Sequence, residues 1–274
     1  MKKFFALLIA ILMMATLVAC SDKDDTGNPL ETLGVDDNTF SNNELGTFTY
    51  KVGPDGHYEI TGYIVNKATD HEVVIPGEIG GVLVTGIGEK AFKSFNCITK
   101  ITLPESVVRV DNYAFADCDS LAAVVFTDSV KELGIGVFYG CALINNVDIP
   151  TLVTKIPDEC FFNCPSLSAI DLRGCNDLTV IGKAAFFNCD ALVSFSVPAT
   201  VTEIQETAFY DCDKLAKINV PASVTTIKDA AFAEISSEKL TFTTAEGSAF
   251  AEYFNEIFAI NEKDYSHYKL EYVK

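Results

Sequence analysis

The octet AFADCDSL at residues 114–121 recurs as AFYDCDKL at residues 208–215. In both copies a cysteine lies three residues after a phenylalanine. The phenylalanine of this octet belongs to a series of seven, spaced 23 residues apart except for one interval of 25: Phe92, Phe115, Phe138, Phe161, Phe186, Phe209 and Phe232. A fixed period of this size predicts a repeat protein.

Two further sets of positions keep the same period. An apolar pair precedes each phenylalanine, as Val107 and Val110 precede Phe115. Downstream lies the pattern Leu-x-x-Ile-x-Val-Pro, as at residues 215–221. Alternation at its end predicts a short strand, and the proline ends that strand because it has no N–H to donate. Units of this length bury their open faces by stacking, so the pattern predicts a solenoid.

The combined consensus, LxxIxIPxSVTxIGxxAFxxC, resembles the BspA-type, or treponemal-type, leucine-rich repeat of bacterial surface proteins. The resemblance implies an α/β, β-rich fold: a right-handed solenoid with a parallel sheet on its concave side, an N-terminal β cap and a C-terminal helical cap. It covers residues 73–242, about seven units of 23 residues. We assign residues 46–72 and 243–274 to the two caps.

Two units depart from the consensus. Arg173-Gly174-Cys175 stands where proline falls elsewhere, and this unit has two extra residues, so we expect a bulge there. The unit after Phe232 has Ile235 in place of cysteine and a strand shifted to residues 240–242, as expected for a last coil.

The N-terminus predicts a secreted lipoprotein. A basic start and an apolar run too short to span a bilayer comfortably indicate a signal peptide over residues 1–19. Residues 17–20, Leu-Val-Ala-Cys, resemble the bacterial lipobox, which implies cleavage before Cys20 and lipid attachment to its sulfur. An ordinary signal peptide with Cys20 there by chance is the alternative. The acidic, apolar-poor residues 20–45 are predicted to form a flexible tether.

The net charge and the absence of several catalytic and metal-binding motifs indicate which classes of function the chain is not expected to have. Loss of the signal peptide removes two lysines and no acids, which takes the formal net charge from −18 to −20. Such a surface repels nucleic acid and anionic lipid headgroups, so we expect membrane contact through the lipid anchor alone. The motifs C-x-x-C, H-E-x-x-H and G-x-S-x-G are absent from the sequence. We therefore expect no enzyme, no metal site and no cofactor.

Nine cysteines in a secreted chain usually indicate a disulfide framework. Five share the slot three residues after phenylalanine and should form one column, with about 4.8 Å between rungs. Their Cβ atoms would then lie too far apart for a bridge. We expect buried free thiols, with at least one bridge as the alternative. Cys97 and Cys175 lie off this column.

Two surfaces are candidates for binding. The first is the outward face of the concave strands, whose residues are small and mostly polar: Lys100, Thr102, Ala123, Val125, Asn146, Asp148, Ala169, Asp171, Ser194, Ser196, Lys217 and Asn219. The second is the slot directly after the repeat phenylalanine, which holds an aromatic residue in four consecutive units: Tyr139, Phe162, Phe187 and Tyr210. These four rings are either an exposed ladder for a protein or sugar, or outer packing between coils.

The resemblance implies a surface protein that binds. We expect an outer-membrane lipoprotein of a Gram-negative bacterium, exposed on the cell surface and adhering to a host extracellular-matrix protein or a neighbouring-cell protein. The alternative function is a glycan-capturing accessory lipoprotein of a polysaccharide-uptake system.

Overall fold

The computed structural model describes residues 39–41, 46–65, 71–258 and 265–273. The predicted signal peptide, Cys20 and most of the predicted tether lie outside these residues. Within them the chain is built from strands and turns, with one α-helix. No helix in this part of the chain combines the length and apolar character needed to cross a bilayer.

An antiparallel meander opens the fold. It consists of β1 (Thr39–Ser41), β2 (Gly46–Val52) and β3 (Tyr58–Val65). Strand β1 falls inside residues 20–45, for which we expected a flexible tether. Phe40 packs against the core while its strand pairs with β2, so residues 39–41 belong to the fold.

The repeats contribute two sets of parallel strands. The main sheet runs through one strand per coil: β4 (His71–Val74), β7 (Ile98–Thr102), β9 (Ala123–Val125), β11 (Asn146–Asp148), β13 (Ala169–Asp171), β15 (Ser194–Ser196), β17 (Lys217–Asn219), β19 (Leu240–Ala245) and β20 (Tyr268–Val273). The second ladder has two parts. The first continues from β3 through β6 (Val82–Ile87), β8 (Arg109–Val110) and β10 (Glu132–Leu133). The second part consists of β12 (Lys155–Ile156), β14 (Val180–Ile181), β16 (Glu203–Ile204) and β18 (Thr226–Ile227). A short strand, β5 (Glu78–Ile79), pairs antiparallel with β6.

The strand register repeats the sequence register. Ile101 of β7 lies beside Val124 of β9, and Phe195 of β15 lies beside Ile218 of β17. The described hydrogen-bond ladder of the main sheet is interrupted between β9 and β11, and again between β13 and β15. The second interruption follows the unit with two extra residues, where we expected a bulge.

A third ladder joins the coils through the Ala-Phe turn. The N–H of Phe115 donates to the carbonyl of Val137 at 3.0 Å, and Phe161 N–H donates to the carbonyl of Ala185 at 2.8 Å. Residues two before and two after the phenylalanine adopt positive φ, as Tyr113 at 56° and Asp117 at 55° do. Successive coils are thus bonded along three lines rather than two.

The repeat phenylalanines form one column through the core. All seven are 0% exposed, and consecutive ring centroids lie 5.1–5.8 Å apart. The preceding small residue is also buried in every unit, including Val137 and Cys160. Each buried phenylalanine stabilises the fold by about 1.5–3 kcal/mol relative to an exposed one. The phenylalanines of successive coils thus form the continuous centre of the core.

The C-terminal part continues the stack. Helix α1 (Ala249–Ile257) begins at Ser248, whose hydroxyl accepts from the Ala251 N–H. Phe250 of this helix packs against Phe232 and Phe242, with centroids 5.7 and 5.1 Å away. The chain then returns as β20, which pairs parallel with β19 along six residues. The helix we predicted is present, and a strand that we did not predict follows it.

The cysteine column is built from thiols that donate hydrogen bonds. Each of the five thiols contacts the carbonyl of the repeat phenylalanine one coil earlier. The Sγ–O distances are 2.9 Å for Cys118, 3.1 Å for Cys141, 3.0 Å for Cys164, 3.1 Å for Cys189 and 3.1 Å for Cys212. These five, with Cys160 and Cys175, are free and buried; Cys97 is buried but is not one of the free thiols.

We predict that the column makes stability fall at alkaline pH. Burial raises the pKa of Cys118, Cys164 and Cys212 from 9.0 to about 12. In the unfolded chain these thiols ionise near pH 9, so their contribution is complete below pH 9 and is lost as the pH rises towards 12. The expected loss is about 1.4 kcal/mol per thiol for each pH unit in that interval.

Denaturant unfolding across this pH range measures the effect. Serine at positions 118, 164 and 212 keeps a hydroxyl donor that does not ionise, so the triple variant should lose less stability than the wild type. Parallel pH profiles for the two proteins would show that the column does not control the alkaline transition.

Candidate binding surfaces

The outward side chains of the main sheet form two columns in register. Lys100 lies beside Ala123 and Thr102 beside Val125. The same pairing places Asn146 beside Ala169, Asp148 beside Asp171, Ser194 beside Lys217 and Ser196 beside Asn219. All of them are exposed or half-buried. The structure therefore places the sequence-predicted residues of this face on one surface.

A groove of about 740 Å³ lies in the middle of this surface. Its lining includes six of the predicted residues: Asn146, Asp148, Ala169, Asp171, Ser194 and Ser196. It spans β11, β13 and β15, where the main-sheet ladder is interrupted. The groove thus coincides with the irregular unit rather than with the regular repeats.

Arg173 is the lining residue that the sequence did not single out for binding. It occupies the position where proline ends the strand in other units, and its side chain is 91% exposed. Its Nε donates to both carboxylate oxygens of Asp171 at 2.9 Å. These hydrogen bonds lower the pKa of Asp171 to about 2. The guanidinium is therefore held in place at the rim while remaining open to solvent.

A second carboxylate gives the groove a negative balance. Asp148 lies beside Asp171 in the parallel register, and both point to the same face. The charge of Asp148 also helps to raise the pKa of Arg173. Two carboxylates against one guanidinium leave one formal negative charge in the groove. A cationic group on a ligand would complement this charge.

The aromatic slot forms a continuous stack of rings. The ring centroids of Tyr139 and Phe162 are 4.8 Å apart, and the angle between the ring planes is 2°. The corresponding values are 4.6 Å and 12° for Phe162 and Phe187, and 4.9 Å and 9° for Phe187 and Tyr210. All four side chains are half-buried. We call these four residues the aromatic ladder.

The ring faces of the aromatic ladder cover one another. Tyr139 is also contacted by Tyr113, whose ring meets it edge-on at 6.2 Å. A sugar ring packs on an open aromatic face, and the inner rings of the ladder have neighbours on both faces. The geometry therefore favours outer packing between coils, one of the two alternatives that the sequence leaves open.

A charged cluster ties the meander to the repeats. Glu59 of β3 is 4% exposed, and its carboxylate contacts Lys51 of β2 at 2.8 Å and Arg109 of β8 at 2.5 Å. Arg109 also contacts Asp111 at 2.6 Å. Sequence reasoning missed this cluster, because its members lie outside the repeat columns or have no counterpart in other units.

Among residues 39–41, 46–65, 71–258 and 265–273, no three His, Cys, Asp or Glu side chains are grouped so that they could hold a metal ion.

The comparison with protein families gives one result. The family described as the BspA-type leucine-rich repeat region matches in six copies, over residues 85–213 and 179–269. These residues hold most of the main sheet, the second ladder and the whole aromatic ladder. No curated protein matches the chain.

Several solved bacterial structures are similar to the chain. A T. pallidum leucine-rich repeat protein is 24% identical, with 73% of this chain and 84% of that chain covered and a TM-score of 0.42. A leucine-rich cell surface protein of Faecalibacterium prausnitzii is 18% identical, with 86% and 95% covered and a TM-score of 0.42. A leucine-rich repeat protein of Bacteroides ovatus is 17% identical, with 86% and 100% covered and a TM-score of 0.39.

We predict that the aromatic ladder contributes to stability. Phe162→Ser removes a ring that stacks on both neighbours, so the free energy of unfolding should fall by about 2 kcal/mol. Val193→Ser, at a side chain that is 53% exposed, is the matched control and should change it little. Thermal and denaturant unfolding measure both. An unchanged melting temperature for Phe162→Ser, together with loss of ligand binding, would instead make the ladder a binding site.

Proposed function

The chain belongs to the BspA-type leucine-rich repeat family, and on that premise we propose that it is a binding protein whose main-sheet face contacts a protein partner. The observation that carries the proposal is the central groove on this face. It joins exposed side chains from three successive coils, and these side chains have no role in packing the core. Function here is binding rather than catalysis.

The order of the backbone and the composition of the main-sheet face favour an extended interface with a partner. Backbone hydrogen bonds join successive coils along the Ala-Phe turn and, where the strand ladders are continuous, along the main sheet and the second ladder. The scaffold is therefore ordered before binding, and little ordering entropy is lost when a partner binds. The described outward residues of the main sheet include no aromatic side chain, although aromatic residues carry much of the energy in small, tight interfaces. We infer an extended surface that binds through many modest contacts.

The partner should present basic and apolar groups. The groove carries one formal negative charge through Asp148, Asp171 and Arg173. Towards the N-terminal coils the same face exposes two apolar residues, Val74 at 56% and Val125 at 42%. A basic side chain near Asp148, with apolar contacts towards Val125, fits this distribution. An extracellular-matrix or neighbouring-cell protein is the partner we propose.

We further propose that the chain is a lipoprotein anchored in the outer membrane and exposed on the cell surface. The lipobox-like residues 17–20 and the acidic segment behind them support this proposal. Cys20→Ser should remove a metabolically incorporated fatty-acid label and release the chain from the membrane fraction. A labelled or membrane-bound Cys20→Ser variant would contradict the anchor.

Glycan capture is the alternative function. The hydroxyl and amide groups of Asn146, Ser194 and Ser196 in the groove favour it, because they can exchange hydrogen bonds with sugar hydroxyls. The aromatic residue of this lining, Phe195, is only 6% exposed and offers no open ring face. An array of glycans and a panel of extracellular-matrix proteins, probed with the same preparation, would separate the two functions.

We predict that a large side chain in the groove blocks binding without unfolding the protein. Ser196→Arg fills the groove and cancels its negative charge, so binding to the matrix protein identified on the panel should weaken at least tenfold. Thr225→Arg, at an exposed residue just before β18, makes the same charge change away from the main-sheet face. Surface plasmon resonance measures both variants. Equal affinity for Ser196→Arg and the wild type would remove this face from the proposal.

A further inference from the structure

The last strand of the main sheet has one edge without a partner strand. Strand β20 pairs with β19 from Tyr268 to Val273, and no other strand pairs with it in the described part of the chain. Free N–H and C=O groups on such an edge can pair with another chain. At six residues β20 is also twice as long as the three-residue strands β9 to β17 of the same sheet.

The surroundings of this edge are partly apolar. Tyr272 and Val273 are each 51% exposed, and Ile257 at the end of α1 is 41% exposed. Leu270, in the same strand, is half-buried. Three of the twelve large hydrophobic residues exposed in the described chain therefore lie at its C-terminal end. Proline and bulges protect edge strands in many proteins, and β20 contains neither.

The charges on β20 are self-complementary. Lys269 and Glu271 lie on one face, two residues apart, and their side chains contact each other at 2.6 Å. If a second β20 pairs antiparallel about a twofold axis, residues of the same face lie opposite one another. Three central registers are then available, with Lys269, Leu270 or Glu271 on the axis.

These registers differ sharply in charge. With Lys269 on the axis it faces the partner's Lys269, and with Glu271 on the axis it faces the partner's Glu271, so like charges oppose directly. With Leu270 on the axis, Lys269 faces the partner's Glu271 and Glu271 faces the partner's Lys269. Opposite charges directly across a strand pair stabilise it, and like charges destabilise it. Charge therefore selects a single register.

The other face of the strand fits the same register. Tyr268 would lie across from the partner's Tyr272, and Leu270 from the partner's Leu270. Cross-strand aromatic and aliphatic pairs of this kind stabilise antiparallel strands. The contact would also cover the exposed part of Tyr272.

We propose that a second copy of this chain docks on β20, forming a twofold dimer through antiparallel β20 strands centred on Leu270. The main sheets of the two copies become one sheet with their outward faces on the same side. The dimer presents two grooves on one surface. A partner with repeated binding sites would then be held by two contacts at once.

Charge reversal tests the dimer. Light scattering on the purified full chain, over a wide range of concentration, should give the mass of two chains and a shift to one on dilution. Lys269→Glu puts like charges opposite each other, so the mass should fall to one chain. Glu271→Lys should do the same. The double variant Lys269→Glu/Glu271→Lys restores both pairs and should restore the dimer.

The variants must be shown to fold, so that a change of mass reports on the dimer contact alone. Lys269 and Glu271 are about half exposed, so all three variants should fold as the wild type does. Circular dichroism checks this at a concentration at which the wild type is monomeric, because dimerisation itself raises the melting temperature. A wild type that remains a single chain at every concentration overturns the proposal. A dimer that survives both single reversals places the contact elsewhere. A folded double variant that stays monomeric overturns the register centred on Leu270.

Discussion

The fold depends on hydrogen bonding between coils that cannot satisfy their own backbones. Each coil leaves N–H and C=O groups open along the main sheet, the second ladder and the Ala-Phe turn, and the next coil pairs with them except where the two strand ladders are interrupted. When one coil stacks on the next, the repeat phenylalanines of the two coils also become buried against each other. Because a lone coil would leave polar groups unpaired beside an open apolar face, stability requires the stack. Equivalent surface residues of successive paired coils therefore lie side by side, in the register of the strands.

The cysteine column follows from the same constraint. The carbonyls of five repeat phenylalanines, Phe92, Phe115, Phe138, Phe161 and Phe186, each accept a hydrogen bond from the buried thiol of the next coil. A thiol is small and apolar enough for the core, yet it can still supply a proton. This explains why cysteine recurs along the column without forming a disulfide ladder. It also explains why burial raises the thiol pKa values, since a thiolate in this position would lose its water and face a carbonyl.

The departures from regularity create the distinctive features of the surface. Two extra residues in one unit place Arg173 where a proline would stand and interrupt the ladder between β13 and β15. The groove forms there, although regular coils flank it on both sides. At the C-terminal end, β20 adds a strand without adding a repeat, and it gives the sheet an edge with its own charge pattern. A regular solenoid would present neither feature.

The period of the sequence determined which residues meet between neighbouring coils. It fixed the phenylalanine column, the small residue before it, the apolar strand positions and the outward residues of the main sheet, because stacking turns equal sequence spacing into spatial alignment. The tertiary structure alone decided contacts between segments that do not repeat: Phe40 against the core, Glu59 with Arg109, and β20 beside β19. It also decided how side chains point within a column. Positive φ at Tyr113 and the mutual covering of the ladder rings depend on local geometry, which residue spacing does not encode.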